Sequence, residues 1–238
     1  MPRYTTQLGE FVPGRPRWWQ WPTILSLDAP IVAVVWQDML ARVAGVALDP
    51  HHRLLLGASV WLAYSADRWI EGWRLTVATV RTQRHYFFIR WRWPAFACWL
   101  AILTGGVAVA ADRFSPREWS VSAAMMVPTL LYLLSHQLLH RDHPWRGPNE
   151  VCVALILAGG AAVYPAALAE AGRWRLLGAP TIAFVLLCLT NCLLISEWER
   201  EVDHNHRQTS LALQLSHARL LARSLPGALV VLGVTLAE

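Results

Sequence analysis

Four carboxylates stand out by their spacing. Asp67 and Glu71 lie four residues apart in WLAYSADRWIEGWR, and Glu197 and Glu201 repeat that interval in NCLLISEWEREVD. Residues four apart share one face of a helix. Two such faces meeting across a bundle would form a cage of oxygen ligands. That donor set suits Mg²⁺, a hard cation commonly held by one or two carboxylates plus substrate phosphates. The stretch VRTQRHYFFIRWRW adds Arg81, Arg84 and His85. A guanidinium grips phosphate through two parallel hydrogen bonds. The chemistry on offer is therefore the binding of a cation and a phosphate group. Plainer roles exist for each feature: acids paired with adjacent arginines, as at Asp67–Arg68 and Glu199–Arg200, and arginines that fix topology or touch anionic lipid.

These residues hang on an unusually apolar chain. Of 238 residues, 55% are hydrophobic and 16% charged. A water-soluble domain of this size needs a more polar surface, whereas a bilayer favours apolar side chains outside. A membrane-crossing helix takes about 20 mostly apolar residues. Six runs meet that measure: Ile24–Leu48, Leu54–Trp73, Pro94–Ala111, Trp119–Leu139, Val151–Ala169 and Leu176–Ser196. A seventh, Pro226–Ala237, spans only if Leu211–Leu225 joins it, with a kink at Pro226. The expected fold is all-α, a polytopic transmembrane bundle of about seven helices. Residues 24–238 form one membrane domain and residues 1–23 an interfacial N-terminal segment.

Arginine placement sets the orientation. All 21 basic residues are arginine. With the N-terminus inside, fifteen of them fall in inner segments and six in outer ones. The positive-inside rule then puts the N-terminus and both acidic pairs in the cytoplasm. The start lacks the short apolar core of a signal peptide, so the expected location is an integral one, in a bacterial inner membrane. Trp18, Trp19, Trp21, Trp91, Trp93, Trp119 and Trp174 flank the apolar runs, where indoles anchor helices at the headgroup layer.

Other polar residues inside the runs are costly, about 2.5–3.5 kcal/mol each on insertion scales. Asp28 lies near the inner boundary, beside the expected polar cavity. Asp38 is deeper and calls for a partner rather than a catalytic role. Asn191 precedes Glu197 by about one and a half turns and is placed to orient it. His136, His140 and His143, with His204, His206 and His217, raise the separate option of a histidine-held transition metal. The cysteines Cys98, Cys152, Cys188 and Cys192 lie in apolar runs and serve as small packing residues. No nucleotide-binding glycine loop or nucleophile elbow is present, and net basicity is explained by topology without a nucleic-acid partner.

The chain resembles the UbiA superfamily of intramembrane prenyltransferases. LSLDAPI, with Leu27, Asp28, Ala29, Pro30 and Ile31, resembles the family's opening segment. SADRWIE resembles its first aspartate-rich motif, with Ala66, Asp67 and Arg68 in place and Glu71 where aspartate is usual. SEWEREVDHNHRQTS resembles the second, with Glu197 and Glu201 at the aspartate positions and Thr209 near the usual threonine. The resemblance implies that Asp67, Glu71, Glu197 and Glu201 hold Mg²⁺, while Arg68, Arg81, Arg84 and Asn191 bind the diphosphate of a prenyl donor. The prenyl group then passes to an aromatic or lipid acceptor. The departures are specific. Ala63 and Leu193 stand where asparagine and tyrosine are usual, the basic loop lacks an arginine–proline pair, and the family has about nine helices. They favour a second reading: a non-catalytic lipid- or pigment-binding relative, or a subunit whose bundle is completed by a homo- or hetero-oligomeric partner.

Overall fold

The computed structural model describes residues 14–74, 83–135, 149–198 and 217–237. Among these, every regular element is helical. A 3₁₀ turn, Trp18–Gln20, leads into the short helix α1 (Trp21–Ile24). The longer helices are α2 (Asp28–Ala44), α3 (Pro50–Arg74), α5 (Arg92–Arg113), α6 (Pro116–Leu134), α7 (Asn149–Leu168), α8 (Gly178–Trp198) and α9 (Ala218–Ala237), with the short α4 (Gln83–Arg90) between α3 and α5. Each of the seven segments expected to be helical overlaps one of the longer helices.

As membrane spans the count is lower. Three stretches are long and apolar enough to cross a membrane: Arg92–Arg113, Glu150–Leu168 and Arg173–Trp198. A fourth results if Trp18–Ile24 and Asp28–Ala44 form one bent span. Helix α3 is 25 residues long, but His51, His52 and Arg53 open it and Asp67, Arg68, Glu71 and Arg74 close it. Helix α6 begins with Arg117 and Glu118. Polar ends of this kind dilute an otherwise apolar run.

Three boundaries differ from expectation. The first run does not begin as one helix at Ile24. Residues 25–27 break it, Ser26 adopts a left-handed φ of 57°, and the axis turns by 81°. Trp18, Trp19 and Trp21 are all exposed on the piece before the bend, as interfacial anchors should be. Part of the basic loop is the helix α4. Finally, α9 runs unbroken from Ala218 through Pro226, so the residues before the proline do join those after it.

The core is built on small residues. Ala33 on α2 and Ala154, Ala158 and Ala161 on α7 are fully buried, and their lack of bulk lets two backbones approach closely. Trp36 stacks on Phe184 at 4.5 Å, tying α2 to α8. Gly45 ends α2 with φ of 69°, and the Arg173 guanidinium lies against it, Nη1 reaching the Ala44 carbonyl at 3.5 Å. A cation at a helix C-terminus complements the helix dipole. Asp38 has its partner: Arg53 Nε on α3 donates to its carboxylate at 2.6 Å. The exposed apolar side chains, such as Val35, Leu131, Ile182 and Val230, lie outside this core, where a bilayer suits them.

A buried polar knot joins α3, α6 and α7 at the end where α3 starts. His52 Nε2 meets Glu118 Oε1 at 2.6 Å. Ser115 caps α6, its backbone N–H and hydroxyl both reaching Glu118 Oε2, at 2.7 and 2.5 Å. Ser122 shares a 2.8 Å hydrogen bond with the Tyr164 hydroxyl. Burial alone would push the Glu118 carboxyl up, but the hydrogen bonds from Ser115 and His52 outweigh it and bring it down to about 2.

Candidate active site at the Asp67 end of the bundle

The chain's second polar concentration lies at the opposite end, where α3, α6 and α8 finish and α7 begins. Tyr132 on α6 is within electrostatic reach of Asp67 and Tyr64 on α3, Cys152 on α7 and Cys192 on α8. Tyr64 in turn interacts with Cys192, Arg68, Cys188 and Asp28. Glu150, buried in the first turn of α7, acts on Cys192 and accepts a 2.8 Å hydrogen bond from the Ser196 hydroxyl. Four helices thus converge on one patch of acids, phenols and small polar groups, with Asp28 of α2 at its edge.

Helical geometry explains why Asp67 belongs there. At about 100° per residue, Asp67 falls within roughly 20° of Leu56 and Val60 around α3. Leu56 is in the buried core and Val60 packs against it, so Asp67 sits on the face turned to α2, α7 and α8. Glu71 follows one turn later. Arg68 and Arg84 both have interaction partners, and α4, which carries Arg84, folds back along α3 with Phe88 buried.

The second acidic motif is placed differently. Cys188, Cys192 and Ser196 line one side of α8, whereas Glu197 lies about 100° further round than Ser196. It shares that side with the buried Thr190 and Leu193 and has an interaction partner of its own. Asn191 is exposed and about 120° around the helix from Glu197. Arg81 and Glu201 lie outside the described residues, as do His136, His140, His143, His204 and His206. Of the histidines considered for a metal, His217 is described, and it is exposed.

Glu150, Tyr64, Tyr132 and Ser196 are the members of the patch that spacing did not single out. The signal for Glu150 is an acid just ahead of a long apolar run, the favoured place for a carboxylate in a helix's first turn. The tyrosines are single phenols within aliphatic runs and carry no pattern of their own.

An apolar cavity of about 180 Å³ lies on the other side of α3, lined by Ser65, Ala66, Trp69, Phe88, Phe96 and Trp99, among others. Of the α3 residues that line it, Ser65 and Trp69 lie about 160° around the helix from Asp67, Ala66 about 100° and Ile70 about 60°. Trp69 and Phe96 stack across it at 5.2 Å, and Trp99 Nε1 donates to the Leu62 carbonyl at 2.9 Å.

The patch offers carboxylate oxygens from Asp67 and Glu150, with acids again at the ends of α3 and α8. Oxygen donors of this type fit a hard cation such as Mg²⁺. Cys188 and Cys192 are free thiols. No family model, curated protein or solved structure matches the chain.

Proposed function

We propose that the protein is a UbiA-like intramembrane prenyltransferase, a bundle of about seven helices, with its acidic patch facing the cytoplasm of a bacterial inner membrane. The observation that carries this reading is the placement of Asp67. It lies on the core-facing side of α3, within electrostatic reach of Tyr132, where the ends of α3, α6 and α8 and the start of α7 converge. Asp67, Glu71, Glu197 and Glu201 would hold Mg²⁺, and Arg68, Arg81, Arg84 and Asn191 would hold the diphosphate. When bound, Mg²⁺ neutralises charge developing on the departing diphosphate. The C–O bond of the prenyl donor breaks, diphosphate leaves with the electron pair, and an aromatic or lipid acceptor forms the new bond and loses a proton. The arginines stabilise the leaving group, and the apolar helices keep water from the allylic cation.

A second reading, a non-catalytic lipid- or pigment-binding protein or a subunit of a larger complex, is favoured by the Trp69–Phe96–Trp99 cavity. That cavity is apolar and lies away from the acids.

The test uses purified protein in nanodiscs with prenyl diphosphates of several chain lengths, with and without Mg²⁺. Mg²⁺-dependent binding or diphosphate release that is lost in Asp67→Ala and Glu197→Ala supports the transferase. Equal behaviour of wild type and both variants overturns it.

A further inference from the structure

Among the described residues, one group of side chains has the spacing of metal ligands, and it lies away from Asp67. Asp49, His51 and His52 each bring a ligand atom within 4.8 Å of the other two. We propose that these three residues form a transition-metal site, with Zn²⁺ its first candidate, at the end of the bundle where α3 begins.

Local structure brings the three together. Asp49 precedes Pro50, the first residue of α3, and its carbonyl accepts from the His52 N–H at 3.1 Å in the opening turn. The two imidazoles are neighbours, their centroids 4.1 Å apart and their planes tilted by 35°. His52 is 2% exposed, yet its Nδ1 has no hydrogen-bond partner, and neither has His51 Nε2, which is also buried. An unsatisfied buried polar atom is costly, and a cation held by these two imidazoles and Asp49 would relieve that cost. Ligand atoms around a four-coordinate zinc, with bonds of about 2.0–2.2 Å, are separated by roughly 3.4 Å. Rotation of side chains closes the remaining gap.

The surroundings match those of a metal-bound histidine. A ligating imidazole usually donates its other ring N–H to a carboxylate, which fixes the tautomer and ring orientation. His52 Nε2 meets Glu118 Oε1 at 2.6 Å, and Ser115 holds the other oxygen of that carboxylate. Phe114 and Tyr164 flank the His52 ring, walling one side from water. Asp49 is exposed, which leaves the other side open for entry and for a water ligand. Arg53 does not compete for Asp49 through its Nε, which bonds Asp38. The positive end of the α3 dipole opposes a cation by about 0.3–1 kcal/mol, and the Asp49 charge offsets it. Two imidazoles and one carboxylate select a borderline transition metal over Mg²⁺ or Ca²⁺.

The experiment uses full-length, tag-free protein in detergent, stripped with chelator and dialysed against Zn²⁺ or Co²⁺. Wild type is expected to retain one more Zn²⁺ per chain than the Asp49→Asn/His51→Ala double variant and to give visible Co²⁺ bands that this variant lacks. Asp49 is exposed and His51 part-buried, and subtraction cancels binding by other histidines. Glu118→Gln should weaken binding about 10–100-fold. Equal Zn²⁺ content and identical Co²⁺ spectra in wild type and the double variant overturn the proposal.

Discussion

The Ser196 hydroxyl donates to Glu150 Oε1 across 2.8 Å, joining the last turn of α8 to the first turn of α7. Both residues are buried. A hydrogen bond to a charged group contributes about 1.5–3 kcal/mol, so Ser196→Ala should lower stability by that order. Unfolding in mixed detergent micelles measures it. A change under about 0.5 kcal/mol would mean that the hydroxyl contributes nothing.

Gly45→Ala should be more damaging than its size suggests. The left-handed φ of 69° costs an L-residue about 1–2 kcal/mol, and an added Cβ would run into the Arg173 guanidinium. Arg173→Ala should relieve the second penalty and leave the first. Melting temperatures of the two single variants and the double variant separate the terms. Asparagine, which tolerates this conformation better, should do less harm than alanine.

The Asp38–Arg53 pair should show energetic coupling. Its side chains are about a third exposed, so a double-mutant cycle with Asp38→Asn and Arg53→Gln is expected to give roughly 1 kcal/mol or less in detergent. Coupling several times larger would mean that lipid shields the pair far more than its exposure implies.

Filling the cavity should separate apolar binding from acid chemistry. Ala66→Leu enlarges a side chain on the cavity wall beside Trp69 and Trp99 and should abolish binding of an apolar fluorescent probe there. Any Mg²⁺-dependent diphosphate binding should survive, because Asp67 is turned about 100° from Ala66 around α3. Joint loss of both would show that the two faces communicate.

Much of the helical organisation was legible in the sequence because long apolar runs favour helices: each of the six long runs, and the short seventh, overlaps a helix, although only three to four stretches qualify as membrane spans. Asp38 announced a partner by its cost at depth, and Arg53 fills that role. The break at residues 25–27 was not legible, since Leu25 and Leu27 are as apolar as the helix that follows. Helix α4 spans eight residues, about two turns, too short for its period to separate it from a basic loop. The His52–Glu118 contact joins positions 66 residues apart, and local patterning carries nothing about such a pair. One half of it did have a signature: Ser115-Pro116-Arg117-Glu118 is a capping box with proline at the first helical position. The acids at Asp67 and Glu197 were legible as helix-end pairs. Which way each points depends on the neighbours of α3 and α8, and spacing along one helix does not specify those.

The 81° turn ahead of Asp28 makes the tryptophan-rich segment lie flat when α2 stands upright. Three exposed indoles sit on that arm, and Trp61 Nε1, bonded to the Leu25 carbonyl at 2.9 Å, moors it to α3. The bend therefore sets the angle at which the tryptophan arm leaves α2 within a few residues of Asp28, independently of the length of any one helix.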